Sequence, residues 1–362
     1  MVMKILFFLP NLNGGGAERV IVNIIRQLDN KVFDISLVLV DDTGVYKPLI
    51  PKYVSVYNLG TKKTIFSPYS LWKTIKKIQP DIVFSTLFRT HIALYIALLG
   101  IKKKPFVILR SPNSPKLLLE KQELNQTMMF FLEKAYASAD VVLAQTPEMK
   151  EEIVLYHNVP KIKVAVLLNP IDIQMIEKKI VDITNPFDSD KINVVAAGRL
   201  TKQKGFDILI TAFKQVVKEN SHFILHIIGK DDGEEENLKH MVHDYSLESN
   251  VNFLGFQDNP YKFFFFSDLY VLSSLWEGLP NTVLENLYLK KPIIATRCIP
   301  FMDTLIQDNK NGFLVDVSDS EQLAQAILDY KDIQVMKTTT FFNNENEINK
   351  FLLDILDKNN KE

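Results

Sequence analysis

The chain has 362 residues, 47% of them hydrophobic and 23% charged, with a formal net charge of −1. That balance is ordinary for a globular protein long enough for two domains, and it argues against nucleic acid as a partner, because a phosphate backbone calls for a basic surface. The single cysteine, Cys298, excludes an intramolecular disulfide and fits a reducing cytoplasm.

The opening MVMKILFFLPNLNGGG has no small-residue cleavage site and runs into a glycine turn, so it reads as a first buried strand rather than a leader. The longest apolar run, 92–101, is about half of what a membrane span needs. From the start, the pattern predicts a strand at 4–9, a glycine turn, and a helix at 17–28 whose Val20, Ile21, Ile24, Ile25 and Leu28 share one side. Strands follow at 33–40 and 54–59, a helix at 71–78 ended by Gln79-Pro80, a strand at 81–85 and a helix at 90–99 closed by Gly100. Next come a strand at 106–109, one long helix at 121–139, a strand at 141–144, a helix at 147–156 and a strand at 164–167. Between about 170 and 191 the pattern lapses into turn formers such as Asn185-Pro186, and the linker is placed there.

The alternation then restarts, with strands at 192–197, 223–228, 251–254, 269–272, 293–296 and 312–315. Helices are expected between them at 206–219, 236–246, 259–266, 280–289 and 302–306, then at 321–330 and about 344–356. Apolar strands alternating with helices predict an α/β protein of two Rossmann-like, doubly wound domains facing a central cleft. They span 1–170 and 187–335, with the C-terminal helix, about 344–362, returning to the first. Ligands of such sheets bind beyond the carboxyl ends of the strands.

The most informative stretch is 273–292, SSLWEGLPNTVLENLYLKKP. Pro280 is expected in the first turn of a helix, with the N–H groups of Asn281, Thr282 and Val283 forming an anion seat. Glu277 lies just before that seat and Glu285 a little over a turn beyond it. Carboxylates on either side of an anion site suit a nucleotide sugar, whose hydroxyls flank a diphosphate. Each glutamate taken alone is equally an ordinary helix-start or solvated residue. In 198–205, Arg199 and Lys204 follow a strand and precede a helix, placed to clamp a diphosphate; a solvated basic loop would look the same. Gly229 ends the next strand, where backbone can approach a ligand, and Phe256 ends the one after, where a base can stack. Near the N-terminus, Gly15 and Gly16 sit in a turn that reads equally as an anion cradle or a plain tight turn.

Taken in order, Gly15-Gly16-Ala17-Glu18-Arg19, Asn169-Pro170-Ile171-Asp172, Gly198-Arg199-Leu200 with Lys204-Gly205, Phe253-Leu254-Gly255, and Glu277 with Glu285 resemble glycosyltransferase family 4. That resemblance covers nearly the whole chain and implies the GT-B fold and a retaining mechanism. It implies that Arg199 and Lys204 neutralise the donor diphosphate, that Glu277 contacts the donor sugar, and that Glu285 holds the ribose. Gly278, Leu279, Pro280 and Asn281 would meet phosphate and sugar through backbone N–H groups, and Gly15 and Gly16 would close over the diphosphate. No Asp-x-Asp or His cluster is well placed, so no metal cofactor is expected.

Two departures stand out. Many relatives carry a His-x-His stretch after the strand that here reads Ile82-Val83-Phe84-Ser85-Thr86, so Thr86 stands where the second His would be. His91 either substitutes for it catalytically or is structural. Near Cys298, relatives usually show a Gly-Gly or Gly-Pro turn followed by Glu, whereas this chain has Cys298-Ile299-Pro300-Phe301-Met302-Asp303.

The resemblance implies transfer of a hexose or N-acetylhexosamine from a UDP-sugar to a glycan acceptor, polyprenyl-diphosphate-linked, in surface-polysaccharide assembly in the cytoplasm. Lys73, Lys76 and Lys77 near Trp72, with residues 102–104, suit peripheral contact with an anionic membrane on its inner face; a solvated helix end accounts for them nearly as well. The alternatives are a nucleotide-sugar isomerase of similar build and a non-catalytic nucleotide-sugar-binding partner.

Overall fold

A computed structural model of the chain describes residues 2–121, 124–335 and 345–359. The chain divides into two units, Met1–Asp172 with Asn343–Glu362, and Ile173–Phe342.

The first unit runs β1 (Met3–Leu9), α1 (Gly16–Gln27), β2 (Phe33–Leu39), β3 (Ser55–Asn58), α2 (Pro68–Ile78), β4 (Ile82–Thr86) and α3 (Phe88–Leu98). It continues through β5 (Phe106–Arg110), α4 (Pro115–Glu120), α5 (Gln126–Ser138), β6 (Val141–Ala144), α6 (Pro147–His157) and β7 (Val164–Val166). The seven strands are parallel in the order β3-β2-β1-β4-β5-β6-β7, with Ile5 of β1 level with Ile35 on one side and Ile82 on the other. Strands buried on both faces must be apolar at every position, which is why they read as continuous hydrophobic runs. One face is covered by α2, α3, α5 and α6 through Leu71, Leu94, Tyr136 and Ile153. The other is covered by α1 through Ile21 and Ile25, together with Leu352 of the C-terminal helix.

The second unit runs α7 (Ile173–Lys179), β8 (Ile192–Ala197), α8 (Phe206–Glu219), β9 (Phe223–Ile228), α9 (Glu235–Asp244), β10 (Val251–Gly255), α10 (Pro260–Phe266) and β11 (Leu269–Leu272). It ends with α11 (Asn281–Tyr288), β12 (Ile293–Thr296), α12 (Met302–Leu305), β13 (Gly312–Val315) and α13 (Ser320–Leu328). Its six parallel strands lie in the order β10-β9-β8-β11-β12-β13. The last helix, α14 (Glu345–Asn359), belongs to the first unit. There Asn349 accepts from the Asp29 N–H at 2.9 Å and donates to the Gln27 carbonyl at 3.0 Å.

Two expectations change. The helix expected at 121–139 starts only at Gln126, as α5, and an unexpected short helix, α4, precedes it, each with its own cap: Ser114 Oγ accepts from the Leu117 N–H at 3.3 Å, and Asn125 Oδ1 from the Met128 N–H at 2.9 Å. Such caps start helices because they satisfy a first-turn N–H; residues 122–123 lie outside the described residues. The stretch read as a linker contains α7, whose Met175 and Ile176 are buried and which packs against α10. Among the described residues no helix is long and apolar enough to cross a membrane.

Candidate active site at the switch point of the second unit

Strand order reverses direction between β8 and β11, and in open parallel sheets ligands seat outside the carboxyl ends of the strands at such a point. The loop after β8 carries Arg199 and Lys204; the loop after β11 carries Glu277. A set of hydrogen bonds joins the two loops. The Leu275 N–H donates to the Gln203 carbonyl at 2.8 Å, Gln203 Nε2 to the Trp276 carbonyl at 2.9 Å, and Ser273 Oγ to the Lys204 carbonyl at 2.8 Å. Gly205 makes this approach possible. Its φ is +59°, and a Cβ there would stand 2.2 Å from the Ser273 carbonyl oxygen.

Within this frame Lys204 Nζ lies 2.5 Å from Glu277 Oε1, and Ser274 Oγ donates to the same oxygen at 2.7 Å. The pair is largely buried, with the two side chains 19% and 10% exposed. Burying both ends of an ion pair costs several kcal/mol per ion unless partners are close and well directed, so so tight a pair marks a position held against that cost. The neighbouring Cys298 thiol is pushed up to about 12, first by burial and then by the Glu277 carboxylate, against the pull of Lys204. That thiol is therefore protonated and inert at neutral pH.

The helix after Glu277 begins at Asn281, with Pro280 as its N-cap rather than its first residue. The Val283 N–H donates to the Pro280 carbonyl at 3.1 Å, so the expected seat of three outward N–H groups loses that member to a turn bond. Gly278, Leu279 and Pro280 are buried, while Asn281 and Thr282 are partly exposed at the helix start. Tyr270 of β11 donates to Thr282 Oγ1 at 2.7 Å and fixes that first turn. Glu285, one turn further along, is only 1% exposed, and its Oε1 accepts from the Tyr261 hydroxyl at 3.4 Å.

Arg199 stands apart from this pair: it is exposed and forms an ion pair with Asp232 at 2.7 Å. Phe256, just past β10, is 44% exposed, as a stacking platform requires. For Gly229 the structure supplies a reason other than ligand approach. A Cβ there would fall 1.7 Å from the Gly198 carbonyl oxygen, so the glycine lets the turns after β8 and β9 touch.

The first unit has its own switch point, between β1 and β4. After β1, Gly15 is the N-cap of α1 and Gly16 its first residue. After β4, His91 is fully buried. Its Nε2 sits 3.3 Å from the Ser85 carbonyl, and its ring meets Tyr136 edge-on at 5.6 Å. Burial pushes its pKa down to about 3, so the ring is a neutral imidazole packed in the core. Thr86 is buried too and donates to the Arg110 carbonyl at 3.3 Å, while the buried Arg110 guanidinium donates to Asn169 Oδ1. Leu87 between them holds φ +76°, a conformation that costs a non-glycine residue about 1–3 kcal/mol.

Sequence reasoning missed Ser274, Tyr261 and Gln203. The aromatic run at 259–266 marked a helix without signalling that Tyr261 reaches a carboxylate 24 residues on. Among the described residues no group of three or more His, Cys, Asp or Glu could hold a metal ion.

The family model described as "Glycosyltransferase Family 4" matches residues 14–175, and that described as "Glycosyl transferases group 1" matches residues 177–344. An uncharacterized glycosyltransferase of Methanocaldococcus jannaschii is 32% identical over 250 residues, which are 65% of this chain and 60% of that protein. The N-acetylgalactosamine-N,N'-diacetylbacillosaminyl-diphospho-undecaprenol 4-alpha-N-acetylgalactosaminyltransferase of Campylobacter jejuni is 26% identical over 340 residues, 90% of this chain and 89% of its own length. Among solved structures, Anabaena HepE in complex with UDP and glucose has the same fold, with a TM-score of 0.79 at 21% identity over 98% of this chain and 99% of that one. With two parallel-sheet units and family matches running from residue 14 to 344, the chain belongs to glycosyltransferase family 4 and has the GT-B fold.

Proposed function

We propose that the protein is a retaining, metal-independent glycosyltransferase that moves a hexose or N-acetylhexosamine from a UDP-sugar to a polyprenyl-diphosphate-linked glycan. It works in surface-glycan assembly at the cytoplasmic face of a membrane. The observation that carries the reading is the Lys204–Glu277 pair at 2.5 Å, held at the β8/β11 switch point by two hydrogen-bonded loops. When the glycosidic bond of the donor breaks, its electron pair goes to the diphosphate. Lys204, with Arg199 nearer solvent, is the cation that meets that charge, and fixed cations in a low-dielectric site need no reorganisation as the charge develops. Both bonds to Glu277 fall on Oε1, so Oε2 is the oxygen it offers to a sugar hydroxyl. Glu285, steadied by Tyr261, is the partner for ribose hydroxyls, and Phe256 is the platform for the base.

The acceptor class draws support from the Campylobacter relative, whose name specifies a diphospho-undecaprenol acceptor, and the donor from the UDP and glucose bound by the Anabaena protein. Incubation with labelled UDP-sugars and a bacterial lipid extract, with and without EDTA, tests the reading. Labelled lipid formed equally in both conditions is the expected result. An epimerised donor would make the protein an isomerase, binding without product a non-catalytic partner, and transfer abolished by EDTA a metal enzyme.

A further inference from the structure

Between Gly60 and Leu119 the chain carries eleven Lys and Arg and a single carboxylate, Asp81, although its net charge is −1. Asp81 is already engaged, accepting from the Lys4 N–H at 2.8 Å. Arg110 among them is buried, while Lys62, Lys63, Lys73, Lys76, Lys77 and the lysines at 102–104 are exposed on the first unit. The 3-10 turn Thr64–Phe66 packs against both α2 and α3. Trp72 of α2 donates from Nε1 to the Gly100 carbonyl at 3.1 Å, which ties α2 to the end of α3 and to the lysines at 102–104.

The surface is apolar as well as basic. Ile65, Phe66, Tyr69 and Leu99 are between 63% and 67% exposed. Tyr69 and Trp72 stack at 5.7 Å between ring centroids. One helical turn further on, Lys73 Nζ lies 4.5 Å from the centre of the Tyr69 ring and Lys76 Nζ 4.6 Å from that of Trp72. Side chains four apart share a helix face, so each ring of the stacked pair has an amine one turn beyond it on the same side of α2. The buried residues of α2, Leu71 and Ile75, face the sheet on the opposite side.

We propose that this face of α2, with the 3-10 turn before it and the end of α3 beside it, is a docking surface for an anionic lipid bilayer. Tyr and Trp rings settle at the headgroup level, where one edge is wet and the other dry. Lys stems lie along apolar surface while their amines reach lipid phosphates. Ile65, Phe66 and Leu99 have the aliphatic and aromatic bulk to enter the acyl boundary, which a nucleic acid or a soluble acidic protein would leave unsatisfied. The proposal extends the membrane-face reading above by assigning it a surface, and it stands or falls separately from the transferase chemistry.

Flotation with phosphatidylcholine vesicles, with and without phosphatidylglycerol, tests it. Wild type is expected to float with the anionic vesicles and not with the neutral ones, and added salt to weaken that binding. K73E/K76E should lower partitioning by at least about thirtyfold, since each basic residue near such a surface adds roughly fivefold in affinity. F66S/Y69S should remove the salt-resistant part of the binding. Melting temperatures close to wild type would show that both variants fold. Wild type that stays with the soluble fraction, floats equally on neutral vesicles, or loses nothing in folded K73E/K76E would overturn the proposal.

Discussion

The two units place their loops at the same kind of position, the carboxyl ends of the strands flanking a switch point, yet they treat polar residues in opposite ways. In the second unit the loops after β8 and β11 bind each other and hold Lys204, Ser274 and Glu277 in mutual contact. In the first unit the residues after β4 turn inward: Thr86 and His91 are fully buried, and Leu87 holds a strained backbone. One switch point has a lysine and a carboxylate paired at its mouth, and the other has Thr86, His91 and the Arg110 guanidinium packed into a core. The comparison teaches that, at the switch points, the close pairing of a cation with a carboxylate belongs to the second unit's loops, while the residues after β4 are packed as core.

The comparison is broken most decisively at Lys204. Lys204→Ala should lower sugar transfer by about 10²–10³-fold, the scale of losing one preorganised group that meets transition-state charge, with circular dichroism unchanged. Glu285→Ala should act in the same direction through donor KM. Wild-type rates in both variants would remove the second unit's claim to the chemistry.

Next in size is Gly229→Ala. Its Cβ would meet the Gly198 carbonyl at 1.7 Å, and forcing the two turns apart should cost about 1–3 kcal/mol in urea unfolding.

The histidines sharpen the contrast by pH. Burial lowers His91 to about 3 and His157 to about 4, and in the second unit it lowers His226 to about 4. An unfolded His titrates near 6.5, so below that pH the unfolded chain takes up protons that the folded one refuses. The stability from these neutral rings is present above pH 6.5 and falls as pH drops from 6.5 towards 4. Melting temperature should decline across that window, and His91→Gln should flatten the decline. An unchanged slope would show that His91 is not held neutral by its burial.

The smallest effect belongs to Arg199→Ala. The ion pair with Asp232 is about half exposed on both sides, so its loss should change stability by less than about 1 kcal/mol. Donor KM should rise severalfold with kcat little changed. A loss as large as that of Lys204→Ala would show that Arg199 swings into the diphosphate site and would undo the distinction between the paired cation and the exposed one.

Much of this was legible in the chain. Continuous apolar runs marked the buried parallel strands, and the turns after them located the loops carrying Arg199, Lys204 and Glu277. Helix α4 and the late start of α5 were hidden because capping by Ser114 and Asn125 is local hydrogen bonding that apolar periodicity does not reveal. α7 was hidden because seven residues are too few to establish a period. His91 could be read either way, since nothing in its neighbours along the chain reveals that Tyr136, 45 positions later, closes over it.

Local pattern was sufficient to set which segments become strands, which become helices, and which loops lie at the carboxyl ends of strands, because backbone geometry imposes periods of 2 and 3.6 that burial makes visible. It could not set strand order. Lys204 and Glu277 are 73 residues apart and meet because β11 pairs with β8, a placement that depends on how the crossover helices pack on the sheet. Glu285 is the same case: it was readable as an ordinary exposed helix residue until packing against Tyr261 made it a buried carboxylate. Contacts across such distances come from the packing of whole layers, which no short window of residues encodes.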